Sequence, residues 1–198
     1  MSAQPRIGVL ALQGAFAAHV RALHELGVES TEVRLPADLD DCEALIMPGG
    51  ESTTMSKLLE MSCLFDPIAA RIADGMPAFG TCAGMILLAR EILDGRPDQR
   101  SFGAIDITVR RNAYGHQLDS FESDVEVRGL SGEFHAVFIR APRITRCGAD
   151  VEVLSEHDRS PVLVRSNAVM AASFHPELTD DHRIHRLFLD VVAEAHRV

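Results

Sequence analysis

Gly80-Thr81-Cys82-Ala83-Gly84 sets a cysteine at the centre of a G-x-C-x-G turn. The run before it, Met76-Pro77-Ala78-Phe79, is short, apolar and preceded by Gly75. The run after it, Met85-Ile86-Leu87-Leu88-Ala89-Arg90-Glu91-Ile92-Leu93, joins good helix formers to a thick apolar face. This pattern predicts a strand that turns sharply into a helix, with small residues on both sides because the backbone passes through tight φ/ψ values there. Such a turn pushes Cys82 out at the carboxyl end of a sheet, over the amino end of a helix. The free N–H groups and partial positive charge at that end favour a thiolate and an oxyanion formed beside it. It is the sulfur version of the nucleophile elbow.

Working outward, the first half alternates strands and helices. Residues 6–12 read as a buried strand, and Gln13-Gly14 opens an amphipathic helix through about Leu26, closed by Gly27. Strands follow at 30–35 and Ala44–Met47, the latter ending in Pro48-Gly49-Gly50. Ser52-Thr53-Thr54 supply N-cap candidates for the next helix, and another helix at 67–73 leads back to the elbow. This alternation predicts a parallel sheet with right-handed crossovers. The second half reads as short, mostly antiparallel strands at 105–111, 124–128, 136–140, 151–155, 162–165 and 169–174, extending or flanking the sheet. A helix from about 180 to 195 ends the chain.

The chain has 198 residues, 46% hydrophobic and 24% charged, which suits one soluble domain spanning 1–198. Its four cysteines include no C-x-x-C pair, which points to a reducing compartment. The N-terminus has no signal-peptide core and no stretch is long enough to span a bilayer, so the expected location is cytoplasmic. A net charge of −10 argues against nucleic acid and anionic membranes as partners, although Arg110, Arg111, Arg140 and Arg143 leave room for a local basic patch. Most free cysteines are small buried hydrophobes, and Cys42, Cys63 and Cys147 (in an Arg-Cys-Gly loop) fit that description.

A cysteine nucleophile wants a base and a group to orient that base. Of nine histidines, His19, His24 and His196 lie on helical stretches, while His116, His135 and His157 lack an obvious acidic orienter. His175 differs, because it follows an apolar strand and precedes Pro176-Glu177. Proline keeps its predecessor extended, so His175 and Glu177 can project to one side, the carboxylate taking one ring nitrogen and leaving the other for a thiol. Without Cys82 the same residues would read as an ordinary strand-end turn. A metal site from His175, Glu177, His182 and His185 is disfavoured, since the His182–His185 spacing suits a solvated helix face and no cysteine pair follows. Pro48-Gly49-Gly50-Glu51-Ser52 offers a strand-end turn able to aim an N–H at a reacting carbonyl, and it lacks the phosphate-loop spacing.

Together these features resemble the class I, triad-type glutamine amidotransferases, whose glutaminase domains use Cys, His and Glu in that chain order. More narrowly, the chain is similar to the family of glutaminase subunits of pyridoxal 5'-phosphate synthases. The blocks that carry the likeness are Leu12-Gln13-Gly14, Pro48-Gly49-Gly50-Glu51-Ser52-Thr53-Thr54, the elbow, Arg111-Asn112 and Asp119-Ser120-Phe121-Glu122. Phe138-Ile139-Arg140-Ala141-Pro142, Val153-Leu154-Ser155-Glu156-His157 and Ser173-Phe174-His175-Pro176-Glu177-Leu178-Thr179 complete them, so the likeness spans essentially the whole chain.

The resemblance implies an α/β fold in three layers, a mostly parallel but mixed sheet flanked by helices, with antiparallel strands in the second half. It implies Cys82 as nucleophile, His175 as base and then acid, and Glu177 as orienter. Gly50 and Ala83 would form the oxyanion hole, and Gly49, Gly50, Glu51, Arg111, Ile139 and Arg140 would hold L-glutamine. An arginine suits an α-carboxylate by charge and fork geometry. No metal or organic cofactor is implied. The implied partner is the synthase (lyase) subunit, which would receive the ammonia and complete the hole on docking, with Gln13 and Gly14 at the contact. His116 stands where a basic residue is expected, and its partial charge near neutral pH weakens any fixed-charge role. Two alternatives stay open: another elbow-cysteine hydrolase, or a non-catalytic interaction module.

Overall fold

The computed structural model describes residues 5–111 and 120–197. The first half runs β1 (Ile7–Leu10), α1 (Phe16–Glu25), β2 (Ser30–Val33), β3 (Ala44–Met47), α2 (Ser52–Met61), α3 (Phe65–Ala73), β4 (Ala78–Thr81) and α4 (Ala83–Leu88). The second half runs β5 (Ala89–Ile92), β6 (Ile105–Arg110), β7 (Ser120–Val125), β8 (Phe134–Ile139), β9 (Arg143–Cys147), β10 (Glu152–His157), β11 (Ser160–Ser166), β12 (Val169–Ala172) and α5 (Arg183–Ala195).

The main sheet has seven strands in the order β10-β11-β12-β4-β3-β1-β2. Strands β12, β4, β3, β1 and β2 are parallel, and β10 and β11 extend that sheet antiparallel. A three-stranded sheet β5-β6-β9 and a ribbon β7-β8 flank it. Every residue of β1, β3, β4 and β12 is buried, as expected for strands covered on both faces. Alternation along them feeds two cores. Leu45 and Met47 pack with Met55, Leu59, Ile68 and Leu87 beneath α2, α3 and α4. Ile7, Val9, Ile46 and Phe79 pack with Leu23, Ile184 and Phe188 beneath α1 and α5. The three-layer mixed α/β expectation is therefore the architecture found. Among the described residues no helix is long and apolar enough to cross a membrane.

Several local readings are corrected. The helix expected through Leu93 stops at Leu88, and Ala89–Ile92 becomes β5, pairing with β6 and anchored by Thr108 Oγ1 donating to Glu91 at 2.8 Å. Long-range pairing overrides the helix propensity of that run. Strand β9 was not expected from sequence, and Cys147 ends it rather than lying in a loop. Strand β7 begins at Ser120, ahead of the expected 124–128. The cap of α2 is Glu51, not Ser52, Thr53 or Thr54: its carboxylate accepts from Thr53 N at 3.1 Å and Thr54 N at 2.8 Å. Two oxygens satisfy two orphan donors, and the negative charge sits at the favourable helix end.

Candidate active site

The elbow is built by close approach of α4 to the sheet. A Cβ on Gly84 would lie 2.0 Å from the Met47 carbonyl oxygen, and one on Gly80 would lie 2.4 Å from the Gly84 carbonyl carbon. Glycine at both positions lets the helix start against β3 and β4, which leaves Cys82 at φ 50°, ψ −103°. A non-glycine residue held there stores strain, of a kind that clusters at functional sites.

The base arrives from the neighbouring strand. Strands β12 and β4 pair in parallel with Ala172 opposite Thr81, and Cys82 N donates to Ala172 O at 2.8 Å. Both chains therefore leave the sheet at the same carboxyl edge, where open α/β sheets place their sites. His175 N donates to Val137 O at 2.8 Å, tying the strand end to β8. His175 Nδ1 lies 2.8 Å from Glu177 Oε1, on the turn Pro176–Leu178, and the other side of the ring hydrogen-bonds Cys82. All three side chains are nearly enclosed, Cys82 and His175 at 7% exposure and Glu177 at 6%.

Burial works against a charged His175 ring, but the hydrogen bonds to Cys82 and Glu177 and their charges outweigh it and raise its pKa to about 10. Burial also pushes the Glu177 carboxyl up, and there His19 facing it and the bond from His175 win, holding it below the usual carboxylate range. The arrangement is an ionised carboxylate, an imidazolium and a sulfur, in hydrogen-bonded series.

The sulfur opens into a cleft of about 290 Å³ lined by Gly49, Gly50, Glu51, Arg111, Ile139 and Arg140, together with Cys82 and His175. Every residue that the resemblance assigned to glutamine is thus brought to one cavity. Gly49 is held to its identity by the ring, since a Cβ there would lie 2.3 Å from His175 Cε1. Arg111 is held in plane: Nη2 donates to Glu51 Oε1 at 3.0 Å, and Nη1 to Thr53 Oγ1 at 2.8 Å and Gln99 Oε1 at 2.9 Å. Burial raises the Glu51 carboxyl, but hydrogen bonds from Thr54 and Thr53 outweigh it and bring it to about 2. Arg140 sits just past β8 at φ 44°. Ala83 opens α4, so its N–H belongs to the first-turn donors that lack an intrahelical acceptor.

Sequence reasoning missed Ser52, Ile86 and Leu178, which also line the cleft. It also placed one histidine wrongly. His185 is fully buried rather than on a solvated face, and His19, read only as lying on a helix, is buried behind Glu177. The signal was present: His19 shares helical spacing with Ala22 and Leu23, and His185 with Phe188, Leu189 and Val192, all on buried faces. His135 does have acidic partners, Asp124 at 2.8 Å and Glu122 at 3.1 Å, but on the exposed face of the β7-β8 ribbon. Asn112, His116 and Asp119 lie outside the described residues.

A strand-to-helix cysteine, a histidine–carboxylate pair just past the adjacent strand and a glycine turn at one sheet edge define a triad-type glutamine amidotransferase. The family model described as "SNO glutamine amidotransferase family" matches residues 9–194, and the chain belongs to that family. It is 55% identical to the pyridoxal 5'-phosphate synthase subunit PdxT of Mycobacteroides abscessus, covering 95% of this chain and 97% of that protein. It is 54% identical to PdxT of Rhodococcus jostii, covering 96% and 98%. A solved structure described as a glutamine amidotransferase superposes with a TM-score of 0.89 at 52% identity, covering 94% of this chain and 98% of that one.

Proposed function

We propose that this chain is the glutaminase subunit of a pyridoxal 5'-phosphate synthase, hydrolysing L-glutamine to L-glutamate and ammonia at Cys82. The observation that carries the reading is the hydrogen-bonded series Cys82–His175–Glu177 at the mouth of the cleft, in a chain more than half identical to PdxT subunits. The Cys82 thiolate adds to the side-chain amide carbon of glutamine, and the N–H groups of Ala83 and Gly50 hold the oxyanion. His175 gives its proton to the departing nitrogen, so the C–N bond breaks and ammonia leaves a thioester on Cys82. His175 then takes a proton from water, whose oxygen adds to the thioester; collapse breaks the C–S bond, releases glutamate and restores the thiolate. Glu177 keeps the ring in the required tautomer throughout. Arg111, braced by Glu51, and Arg140 supply charge for the α-carboxylate of glutamine, with Gly49 and Ile139 flanking it.

The ammonia acceptor is a separate synthase subunit, a reading supported by relatives named as subunits of a pyridoxal 5'-phosphate synthase. Gln13 Oε1 accepts from Glu51 N at 3.3 Å and Gly14 lines the cleft, which supports this edge as the docking side. All four cysteines are free, which fits a reducing cytoplasm. The test is labelling with a glutamine-mimicking electrophile followed by peptide mapping, beside ammonia release with and without the synthase subunit. The adduct is expected on Cys82, with faster release in the complex. Labelling elsewhere overturns the site, and equal rates overturn activation by docking.

A further inference from the structure

Behind the triad lies a set of buried ionisable groups that the chemistry above does not use. Glu177 presents one oxygen, Oε1, to His175. Its other oxygen, Oε2, is buried without a well-aligned hydrogen bond and faces His19 Nε2 at 3.4 Å. That nitrogen is also 3.2 Å from Thr81 Oγ1, the residue before the nucleophile. The far side of the same ring, His19 Nδ1, meets His185 Nε2 at 2.9 Å. Both histidines have no exposed surface, and they sit on the apolar faces of α1 and α5 among Leu23, Phe79, Ile184 and Phe188. Aliphatic side chains would fill such positions without the cost of desolvating two imidazoles.

Proton bookkeeping gives this arrangement a direction. An ionised Glu177 can only accept, so the tautomer that suits it carries a hydrogen on His19 Nε2, shared between Thr81 Oγ1 at 3.2 Å and Glu177 Oε2 at 3.4 Å. Burial keeps His19 neutral despite the Glu177 charge, so its Nδ1 is bare and accepts from His185 Nε2–H. Burial likewise depresses His185, to about 3, and its bare Nδ1 is left buried without a hydrogen-bond partner. An unpaired acceptor is the more tolerable orphan. Every donor in the series therefore points toward the triad.

We propose that His19 is a positioning residue for glutamine hydrolysis: its Nε2–H holds the Glu177 carboxylate in the plane that aims His175 at Cys82, and His185 fixes the His19 tautomer that makes this donor. The terminal torsion of a glutamate is broad, and a carboxylate gripped at one oxygen alone turns freely about it. A second donor removes that freedom, and aim within a fraction of an ångström is what an acid–base pair requires. His19 lines no part of the cleft, so glutamine binding is left alone. The proposal rests on the triad reading given above.

The test compares His19→Leu, which packs without a donor, with His19→Gln, whose side-chain N–H reaches the Nε2 position. Both are assayed as glutaminases in complex with the synthase subunit, with Cys82→Ala as control. His19→Leu is expected to lose about 10- to 100-fold in kcat with KM for glutamine within about twofold, and His19→Gln to recover to within about threefold of the parent. A parent-like kcat in His19→Leu, or a loss that folded His19→Gln does not rescue, overturns the proposal. Residual activity in Cys82→Ala instead overturns the triad reading itself. Nitrogen NMR of the parent complex labelled in histidine reads the tautomer directly and does not depend on any variant folding. His19 is expected with a protonated Nε2 and a bare Nδ1, and the opposite tautomer or an imidazolium overturns the proposal.

Discussion

Cys82 is held at a positive φ, with its sulfur against an imidazole that burial alone would discharge. What keeps that ring charged is the pair of acceptors on either side, so changing either acceptor changes the base. Glu177→Gln replaces an acceptor with an amide that presents N–H or C=O, and the ring can then settle in the wrong tautomer. Glutaminase kcat in the complex is expected to fall by about 10³- to 10⁴-fold, with the Cys82 environment intact by structure. A loss below tenfold would show that the carboxylate does not orient the ring. These three residues were legible in the sequence because each announces itself through local backbone chemistry, a glycine-flanked turn or an X-Pro step. The company they keep was not. Thr53 and Gln99 on Arg111, or His19 behind Glu177, are joined by tertiary folding across tens of residues, and no spacing rule reports such meetings.

Among the elements, α4 does most to set the site, and its extent was misjudged from sequence. Its six residues are all buried, which leaves Arg90 and Glu91 to emerge as an exposed edge on β5. Helix propensity in 85–93 is real, but propensity is worth tenths of a kcal/mol per residue and yields to strand pairing. The glycines of the elbow were read correctly as steric necessities. Gly84→Ala drives a methyl into the Met47 carbonyl and is expected to cost on the order of 2–3 kcal/mol, read as a lowered urea midpoint at unchanged slope. An unchanged midpoint would mean that α4 can slide on β3. The cap of α2 offers a milder case. Glu51→Ala removes the acceptor of two helix N–H groups and a brace of Arg111, and is expected to cost about 1 kcal/mol while raising KM for glutamine more than it lowers kcat.

Across the whole molecule, the buried histidines couple folding to pH. His185 sits near 3 in the folded state against an ordinary value of 6.5, and His19 is lowered in the same sense. A lowered folded value means that the unfolded chain binds the proton first. The contribution of each ring to stability is therefore complete above its unfolded value and is lost as pH falls through 6.5 toward the folded one. Between about pH 7.5 and about pH 5.5 His185 alone accounts for lost stability on the order of 1 kcal/mol. Urea titrations at those two values should show the parent losing that much more than His185→Leu. Equal losses in both would mean that the ring is protonated in the native protein. The alternation of strands and helices made the central sheet legible at this scale. The placement of β9 and the β7 boundary escaped because short, half-exposed strands owe their pairing to neighbours distant in sequence.

Strand β12 lies between β11 and β4, so the last parallel pairing of the sheet joins its late segment to a much earlier one. On the ribosome the thiol is synthesised well before its imidazole, and the edge of β4 stays open until β12 slots in. A nascent or partly refolded chain therefore carries a disarmed sulfur, and no amide is cleaved before the imidazole is in place. In refolding from denaturant, hydrolysis should return with the slowest phase, the non-local closure, and never with the earlier gain of helical signal.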